Sequence, residues 1–449
     1  MTSSNDSIDK KVLRRAYLKG FAGAAGTVAV AGCLGGGNGS SGNGSSGNGS
    51  SGNGNNEQLT VLHGWTGGDG KDAITAMIKK FKEEYPDANT KFNTVGGTGN
   101  VQLNTLVTQK LNNNNPPSSW AAWPGEHLTP FVEGDLLGDI GESVWSKNNM
   151  KEAYAKEAGQ LSKFNGSYKC VPMGSHRMNN LFYNKNVINK ADIDPKNLSS
   201  PADLVNALGQ IEKKTDAVGM SKSMVNSTTI MRLWAATLLG SEGYQAYMDV
   251  VNGNGDMKSV KNSLKATKKL TQYFPDDAAT LDPPGSFQMI ANGEAGVLQS
   301  GNWVAGYLTG KKKKYKEDWD WAAFPGTKGM YGLHFDSFVY PKNAPAPQAT
   351  IKWLRYCGTK EAQVAYNTRK GSIPPRTDVS TDEFGPYLTD TIKDFQNAEH
   401  KPPTIADGLA VSPSTLSDLG TVFTDNFMDP YDVNATAEGI LSAIGENSS

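Results

Sequence analysis

The spacing of apolar residues predicts strands and helices that alternate along the chain. Residues 59–63 form a short apolar run typical of a strand, and a glycine-rich turn follows them. The next apolar residues recur at the i, i+3, i+4 and i+7 spacing of one helical face: Ile74, Met77, Ile78 and Phe81. Pro86 ends this helix, and residues 90–95 resume an extended pattern. The region therefore predicts a βαβ unit.

The same alternation continues through the rest of the chain. A second helix is predicted over residues 101–111, and Ser200, Pro201 and Asp203 supply the cap, first-turn proline and acidic residue of a helix start. Further strand-like runs lie at residues 181–183, 295–299 and 335–340. Alternating strands and helices predict α/β lobes with mostly parallel sheets, in which ligands bind beyond the carboxyl ends of the strands.

The beginning of the chain resembles an export signal. A basic region with Arg14 and Arg15 precedes an uncharged stretch over residues 20–32, which is too short to span a bilayer as a helix. The paired arginines resemble a twin-arginine signal, from whose usual pattern Leu13 and Tyr17 depart. Residues 30–33 resemble a lipobox, which predicts removal of residues 1–32 and lipidation of Cys33. The alternative is an ordinary signal in which this cysteine is incidental.

A tract of Gly, Ser and Asn fills residues 34–56. Such a composition buries no apolar surface and behaves as a flexible coil with a mean reach of about 27 Å. Residues 33–56 are therefore predicted to tether a folded body to the extracellular face of a prokaryotic cell membrane through a lipid anchor.

Size and charge narrow the possible functions. Without residues 1–32 the chain holds 39 basic and 43 acidic residues, a balance that gives no drive toward nucleic acid. About 390 residues beyond the tether exceed one usual hydrophobic core, which predicts two lobes. Cys170 and Cys357 remain, and the sequence leaves open whether they pair.

Motifs of common catalytic and metal sites are missing from the sequence. It contains no His-Glu-x-x-His, Cys-x-x-Cys or Gly-x-Ser-x-Gly pattern. The nearest approach to a phosphate loop has Asp72 where Ser or Thr must hold magnesium. We therefore expect no catalytic residue, no metal and no cofactor, and a protein that is not an enzyme. Two distant carboxylates that hydrolyse a glycosidic bond leave no motif, so an extracytoplasmic carbohydrate-active enzyme remains an alternative.

Several glycine- and proline-bearing loops carry tryptophans beside polar residues, a combination that suits sugars with one apolar face and a rim of hydroxyls. Short strings in these loops and their order along residues 59–427 resemble an extracellular solute-binding protein of an ABC sugar-uptake system, in its glucose- and mannose-type branch. The strings are Gly64-Trp65-Thr66, Val171-Pro172, His176-Arg177, Leu181-Phe182-Tyr183-Asn184-Lys185, Gly301-Asn302-Trp303, Phe324-Pro325-Gly326-Thr327, Asp336-Ser337-Phe338-Val339 and Lys370-Gly371-Ser372-Ile373-Pro374.

The resemblance implies an α/β, two-lobe periplasmic-binding-protein-like fold of the class II type, with a ligand cleft between the lobes. The first lobe is expected over residues 57–184 and about 331–372, and the second over about 185–330 with C-terminal helices from 373 to 449. The expected partners are a small-molecule sugar and the permease subunits of an ABC transporter, with the receptor itself a monomer. A surface sensor that shares the fold without transport is a further alternative.

The resemblance also implies roles for particular residues. Stacking walls are expected from Trp65 and Trp303, and hydrogen bonds to ring hydroxyls from His176, Asn302, Asp336 and Lys370. Trp123 and Asp407 are also expected to bind ligand. Trp123 stands where glucose-type members have a histidine in the same loop, and Asp407 stands near a histidine that these members have late in the chain. Ala121 stands where they have a glutamine. These departures predict a ligand other than glucose: another hexose, a pentose or a short oligosaccharide. Simpler roles remain open, with Asp336 and Asn302 as turn residues, Lys370 as a surface lysine and His176 as a hinge residue.

Overall fold

The structure is a computed structural model that describes residues 57–96 and 101–445. Arg14, Arg15, Cys33 and the Gly/Ser/Asn-rich tract lie outside the described residues. Within the described ranges, no helix is both long enough and apolar enough to cross a membrane.

The strands are short and are spread over the whole described chain. They are β1 (Leu59–His63), β2 (Thr90–Thr94), β3 (Ser119–Ala122), β4 (Lys163–Phe164), β5 (Ser167–Tyr168), β6 (Cys170–Arg177), β7 (Asn180–Asn184), β8 (Val218–Met220), β9 (Ala295–Ser300), β10 (Trp319–Ala323) and β11 (Leu333–Val339).

Helices connect these strands and form the C-terminal region. They are α1 (Gly68–Glu84), α2 (Val101–Asn112), α3 (Thr129–Glu133), α4 (Met150–Ala153), α5 (Lys156–Leu161), α6 (Lys185–Ala191), α7 (Pro201–Lys214), α8 (Ser227–Val251), α9 (Met257–Thr271), α10 (Pro283–Asn292), α11 (Trp303–Gly310), α12 (Pro347–Cys357), α13 (Lys360–Lys370), α14 (Pro386–Asn397), α15 (Pro413–Val422) and α16 (Val433–Gly445). Single turns of 3₁₀ or π helix lie at Gly125–Leu128, Gly141–Trp145, Pro195–Asn197, Thr381–Glu383 and Phe423–Met428.

Two separate sheets give the chain its two lobes. The first has the strand order β2-β1-β3-β11-β6 and the second β10-β7-β9-β8, while β4 and β5 form a small hairpin. One hydrophobic cluster packs on the first sheet through residues such as Val61, Phe338 and Trp353, and a second cluster forms around Trp234 and Phe423 in the other lobe. The two-lobe α/β prediction is confirmed.

The prediction of mostly parallel sheets is wrong. β1 pairs with β2 and β3 in parallel and β8 with β9 in parallel, but β11 runs antiparallel to both β3 and β6, and β7 antiparallel to β9 and β10. The chain reaches β11 from the second lobe and therefore enters the first sheet from the opposite end. Periodicity within a strand carries no information on the direction of its neighbour.

The chain crosses between the lobes after Arg177, because β6 belongs to the first sheet and β7 to the second. The sequence boundary at residue 184 put β7 in the first lobe, whereas its hydrogen bonds join it to β9 and β10. We propose a lobe boundary at residues 178–179 instead. There Asn179 accepts from the backbone N–H of Gly332 at 2.8 Å and donates to Thr327, which ties this crossing to the one that leads into β11.

Helix faces and helix caps formed where the sequence predicted them. Ile74, Met77 and Phe81 are buried on one face of α1. The Ser200 side chain accepts a hydrogen bond from the Asp203 backbone at 3.1 Å and caps α7. Cys170 and Cys357 are both buried free thiols in this structure.

Candidate functional site

His176 and Asp336 meet on adjacent antiparallel strands of the first sheet, β6 and β11. The Nε2 atom of His176 lies 3.0 Å from Oδ2 of Asp336, and the side chains are 1% and 7% exposed. The register of the two strands shifts between Asp336 and Ser337. Such an irregularity re-aims a strand side chain, so the carboxylate is placed by the strand and not by a turn or helix end.

In this pair the pKa values favour a neutral His176 and an ionised Asp336. Burial lowers the pKa of His176 below its ordinary value, more than the neighbouring carboxylate raises it. Burial also raises the pKa of Asp336, but the hydrogen bond with His176, together with the nearby His334 and Lys370, outweighs it and holds that pKa well below its usual range. A neutral imidazole that faces a carboxylate must donate through Nε2, which leaves Nδ1 as an acceptor.

Tyr366 links Trp65 to this pair. Its hydroxyl donates a hydrogen bond of 2.8 Å to Oδ2 of Asp336, and its ring centroid lies 5.5 Å from the half-buried indole of Trp65. Trp65 also meets Phe338 edge-on and stacks beside His63. The indole is therefore fixed by aromatic contacts next to the polar centre.

Lys370 is the last residue of α13, and Gly371 ends the helix in the left-handed conformation with φ of 78°. Lys370 is only 7% exposed, and its Nζ atom donates to Asp69 of α1 at 2.6 Å. The same ammonium lies 5.6 Å from the ring centroid of Trp303. Lys370 is thus held between a carboxylate of its own lobe and an indole of the other.

Trp303 begins α11 and carries a second cation over its ring. The guanidinium of Arg232 lies 4.9 Å from the indole centroid and forms an ion pair with Asp407 in which Nε reaches Oδ1 at 2.9 Å. Asp407 is 1% exposed, and although burial raises its pKa, Arg232 outweighs burial and keeps the pKa below the ordinary value. The carboxylate of Asp407 is paired with Arg232, so a ligand that bound directly to Asp407 would compete with Arg232 for it.

Asn302 is fully buried and ties the loop before α11 to the lobe crossing. Its Oδ1 atom accepts from the backbone N–H of Arg177 at 2.6 Å and from Nδ2 of Asn180 at 3.2 Å. Its own Nδ2 has no hydrogen-bond partner among the described residues.

Trp123 follows β3 and lies between two buried histidines. Its indole centroid is 5.0 Å from His127 and 5.3 Å from His334, whose ring lies 5.9 Å from that of His176. Nδ1 of His127 and of His334 is unpartnered in the described part of the chain. Ala121 lies two residues before Trp123, in β3, and pairs with Phe338 of β11.

The structure brings the predicted residues into one network. Contacts run from Trp65 through Tyr366 to Asp336 and His176, from His176 to Trp303 at 5.4 Å, and from Trp303 to Lys370 and the Arg232–Asp407 pair. Asn302 and Trp123 flank it. Unpartnered Nδ1 of His176 is an acceptor and unpartnered Nδ2 of Asn302 is a donor. A buried acceptor and donor beside indole rings suit a ligand with hydroxyl groups on an apolar frame.

Sequence reasoning missed several members of the network. Tyr366, Asp69, Arg232 and His334 carry no motif of their own, and each enters through a contact that is distant in sequence, up to 301 residues for the Lys370–Asp69 pair. Lys222 was also missed: it is 3% exposed, donates to Oε1 of Gln299 at 2.7 Å, and burial lowers its pKa well below the ordinary value. In the described ranges no cluster of three or more His, Cys, Asp or Glu side chains is placed to hold a metal ion.

The sequence was compared with a family model and with curated relatives. The family model described as bacterial extracellular solute-binding protein matches residues 67–364. The chain is 43% identical to the xylose/arabinose-binding protein XacG of Haloferax volcanii over 98% of this chain and 99% of the relative. It is 32% identical to an uncharacterized ABC transporter extracellular-binding protein of Pyrococcus horikoshii, over 86% and 87% of the two chains.

Solved structures share the fold at low sequence identity. A chitin oligosaccharide binding protein superposes with a TM-score of 0.75 at 16% identity, over 87% of this chain and 98% of that one. The solute receptor AcbH, described with a preference for β-D-galactopyranose, superposes with a TM-score of 0.73 at 17% identity over the same shares. At these identities the likeness concerns the two-lobe fold alone.

Proposed function

Because the chain belongs to the family of bacterial extracellular solute-binding proteins, we propose that it is a receptor that captures a sugar by lobe closure and delivers it to the permease of an ABC importer. The observation that carries this proposal is the buried His176–Asp336–Tyr366 centre beside the half-buried indoles of Trp65 and Trp303. Binding sites of this kind combine apolar walls with a few placed polar groups.

A pentose is the ligand we propose. The relative that is 43% identical is named for xylose and arabinose. Trp123, which stands where glucose-type members are expected to have a histidine, is a larger side chain, and its indole fills space beside His334. A pentose lacks the hydroxymethyl group of glucose and needs less room and one fewer hydrogen-bond partner. This assignment replaces the glucose- and mannose-type branch with a narrower ligand class inside the same family.

Each predicted side chain has a role in this proposal. Nδ1 of His176 accepts from a sugar hydroxyl and Nδ2 of Asn302 donates to one, while Trp65 and Trp303 cover apolar faces of the ring. Asp336 holds His176 in the donating tautomer, and Lys370 is oriented by Asp69. Arg232 and Asp407 support Trp303 from the second lobe. No step of this role breaks a covalent bond, and we propose a receptor without enzymatic turnover.

The cell-surface attachment belongs to the same proposal. Export through the Arg14-Arg15 signal, cleavage before Cys33, lipidation of that cysteine and the tether to residue 56 would hold a monomeric receptor at the extracellular face of the membrane. Mass analysis of membrane-extracted protein for a lipid-modified N-terminal Cys33, with Cys33→Ala as comparison, tests this part. Recovery of the unprocessed chain with its first 32 residues would contradict it.

Isothermal titration tests the function. The soluble form that begins at about Asn56 is titrated with xylose, arabinose, glucose and xylo-oligosaccharides, and the mixtures are checked for hydrolysis products. We expect one-to-one binding with a pentose preferred over glucose and no products. Preference for glucose would sink the pentose assignment, and turnover of an oligosaccharide would favour an enzyme.

A pair of variants locates the site. Asp336→Asn removes the carboxylate that keeps Nδ1 of His176 an acceptor, so one hydrogen bond between His176 and the sugar is lost and sugar affinity should fall about tenfold. Asp320→Asn is the matched control, because Asp320 is also a buried carboxylate that accepts a hydrogen bond, from Lys196 at 2.7 Å, but lies in β10 outside the network. Equal affinity losses in the two variants would remove the site assignment.

A further inference from the structure

Two glycines bring backbone against backbone where the lobes meet. Gly306 lies in α11, which follows β9 and precedes β10, both strands of the second sheet. Gly371 follows α13, which packs along α1, the helix between β1 and β2 of the first sheet. The contact between Gly306 and Gly371 therefore crosses from one lobe to the other.

The approach leaves no room for a side chain on either residue. A Cβ atom at Gly306 would lie 2.9 Å from the carbonyl oxygens of Arg369 and Lys370, and one at Gly371 would lie 2.6 Å from the carbonyl oxygen of Asn302 and 2.7 Å from the amide nitrogen of Gly306. The obstructing atoms are backbone atoms, which have no rotamer to yield. A methyl group here has to push α11 away from the end of α13.

The contact sits directly beside the proposed ligand residues. Asn302 and Trp303 lie at the start of α11, and Lys370 precedes Gly371. The spacing of these helices therefore sets the distance between Trp303 of one lobe and Lys370 of the other, which is 5.6 Å from ammonium to ring centroid.

We propose that Gly306 is a specificity-determining residue that fixes how far the lobes close, and so how small a sugar the closed cleft holds. This inference rests on the proposed sugar-receptor function. With glycine at 306 the helices meet at backbone distance and the cleft fits a pentose. A side chain at 306 props the lobes apart, and a pentose then loses contact with one wall while a larger sugar loses less.

The test is Gly306→Ala with Gly310→Ala as matched control. Both glycines lie in α11, and a Cβ at Gly310 meets no atom within 4 Å. Alanine has a better helix propensity than glycine at the interior position 306, and Gly310, the last residue of α11, does not adopt a left-handed φ, so neither substitution is expected to weaken the helix itself. Gly371→Ala is a poorer probe, because φ of 78° strains an alanine whatever space surrounds it.

Two readouts are measured on the soluble protein. Titration should give pentose affinity about tenfold weaker for Gly306→Ala than for Gly310→Ala, with a smaller loss for a hexose or disaccharide, because the added methyl group overpacks a contact between backbones. Spin labels at Lys79→Cys in α1 and Lys265→Cys in α9, both exposed positions, should report a longer interlobe distance in sugar-bound Gly306→Ala than in sugar-bound Gly310→Ala or the unsubstituted protein. Melting temperatures show whether both variants are folded.

The outcomes separate this inference from the proposed function. Unchanged interlobe distance in Gly306→Ala overturns the inference whether or not affinity falls, and so does a longer distance with unchanged pentose affinity. If the unsubstituted protein binds no sugar, the proposed function fails and this inference fails with it; if sugar binds and the sugar-bound distances are equal in the two variants, only the inference fails.

Discussion

The hydroxyl of Tyr366 donates a 2.8 Å hydrogen bond to Oδ2 of Asp336, the same oxygen atom that faces His176. Tyr366 comes from α13 and Asp336 from β11, so the carboxylate joins a helix to the sheet on which it lies. Two donors from different elements therefore converge on one buried carboxylate oxygen.

Tyr366→Phe removes that donor and keeps the ring against Trp65. Without this donor Asp336 is held less firmly and positions His176 less well, so we expect sugar affinity to fall about threefold to tenfold. Titration calorimetry measures the change. Tyr356→Phe is the control, since Tyr356 is equally buried in the same lobe and donates to the backbone of Met77, away from the network. A similar affinity loss in the control would show that the effect arises from general destabilisation.

The Arg232–Asp407 ion pair should act mainly on stability. Asp407→Leu leaves the Arg232 guanidinium without its partner in a largely buried place, and the loss of one partner of a buried pair costs about 3–5 kcal/mol. The double variant Arg232→Met with Asp407→Leu should recover most of that stability in urea unfolding. A double variant no more stable than the single one would contradict a structural role for the pair.

Acid should destabilise the protein through its buried histidines. Burial, and then the charge on His334, lowers the pKa of His127 to about 4, and burial lowers that of His63 to about 4. In the unfolded chain each binds its proton near pH 6.5. The stability that these neutral side chains contribute is therefore complete above about pH 6.5 and is lost as the pH falls toward 4, by at most about 3 kcal/mol per histidine.

Urea unfolding between pH 4 and pH 8 measures this loss. His127→Gln should flatten the profile between pH 4 and 6.5, whereas His400→Gln should not, because His400 is exposed. A stability that stays constant from pH 8 to pH 4.5 in the unsubstituted protein would contradict the prediction.

Both thiols of the soluble form should be inert until the protein unfolds. Cys170 and Cys357 are 0% exposed, and burial raises the pKa of Cys170 to about 11 and that of Cys357 above its ordinary value. Thiolate is the reactive form, so a thiol reagent should label neither residue in the native protein and both in denaturant. Immediate native labelling of one or both would contradict their burial, and labelling of neither in denaturant would indicate a disulfide.

Local patterns predicted the elements well because they depend on neighbours along the chain. The face of α1 that carries Met77 and Phe81, the cap at Ser200 and the apolar runs of β9 and β11 each follow from spacing within a few residues. The antiparallel direction of β11 does not, since it depends on where the chain returns from the other lobe.

For the site, too, the sequence predicted individual residues but not their partners. Loop strings led to Trp65, Trp303 and Lys370, but not to what surrounds them. From the sequence, Lys370 is expected to hydrogen-bond a hydroxyl group of the sugar. In the structure its ammonium donates to Asp69 and lies over the ring of Trp303. Partners that are brought together only by tertiary packing, such as Tyr366 and Asp336, have no signature in a single sequence.

Asn180 gives the crossing between the lobes a further consequence. Its Nδ2 atom lies within hydrogen-bond distance of the carbonyl oxygens of Arg177 and Ser300 and of Oδ1 of Asn302. Asn180 therefore ties the end of β6 to the loop that carries Trp303, and any movement of the backbone at this crossing carries the indole with it.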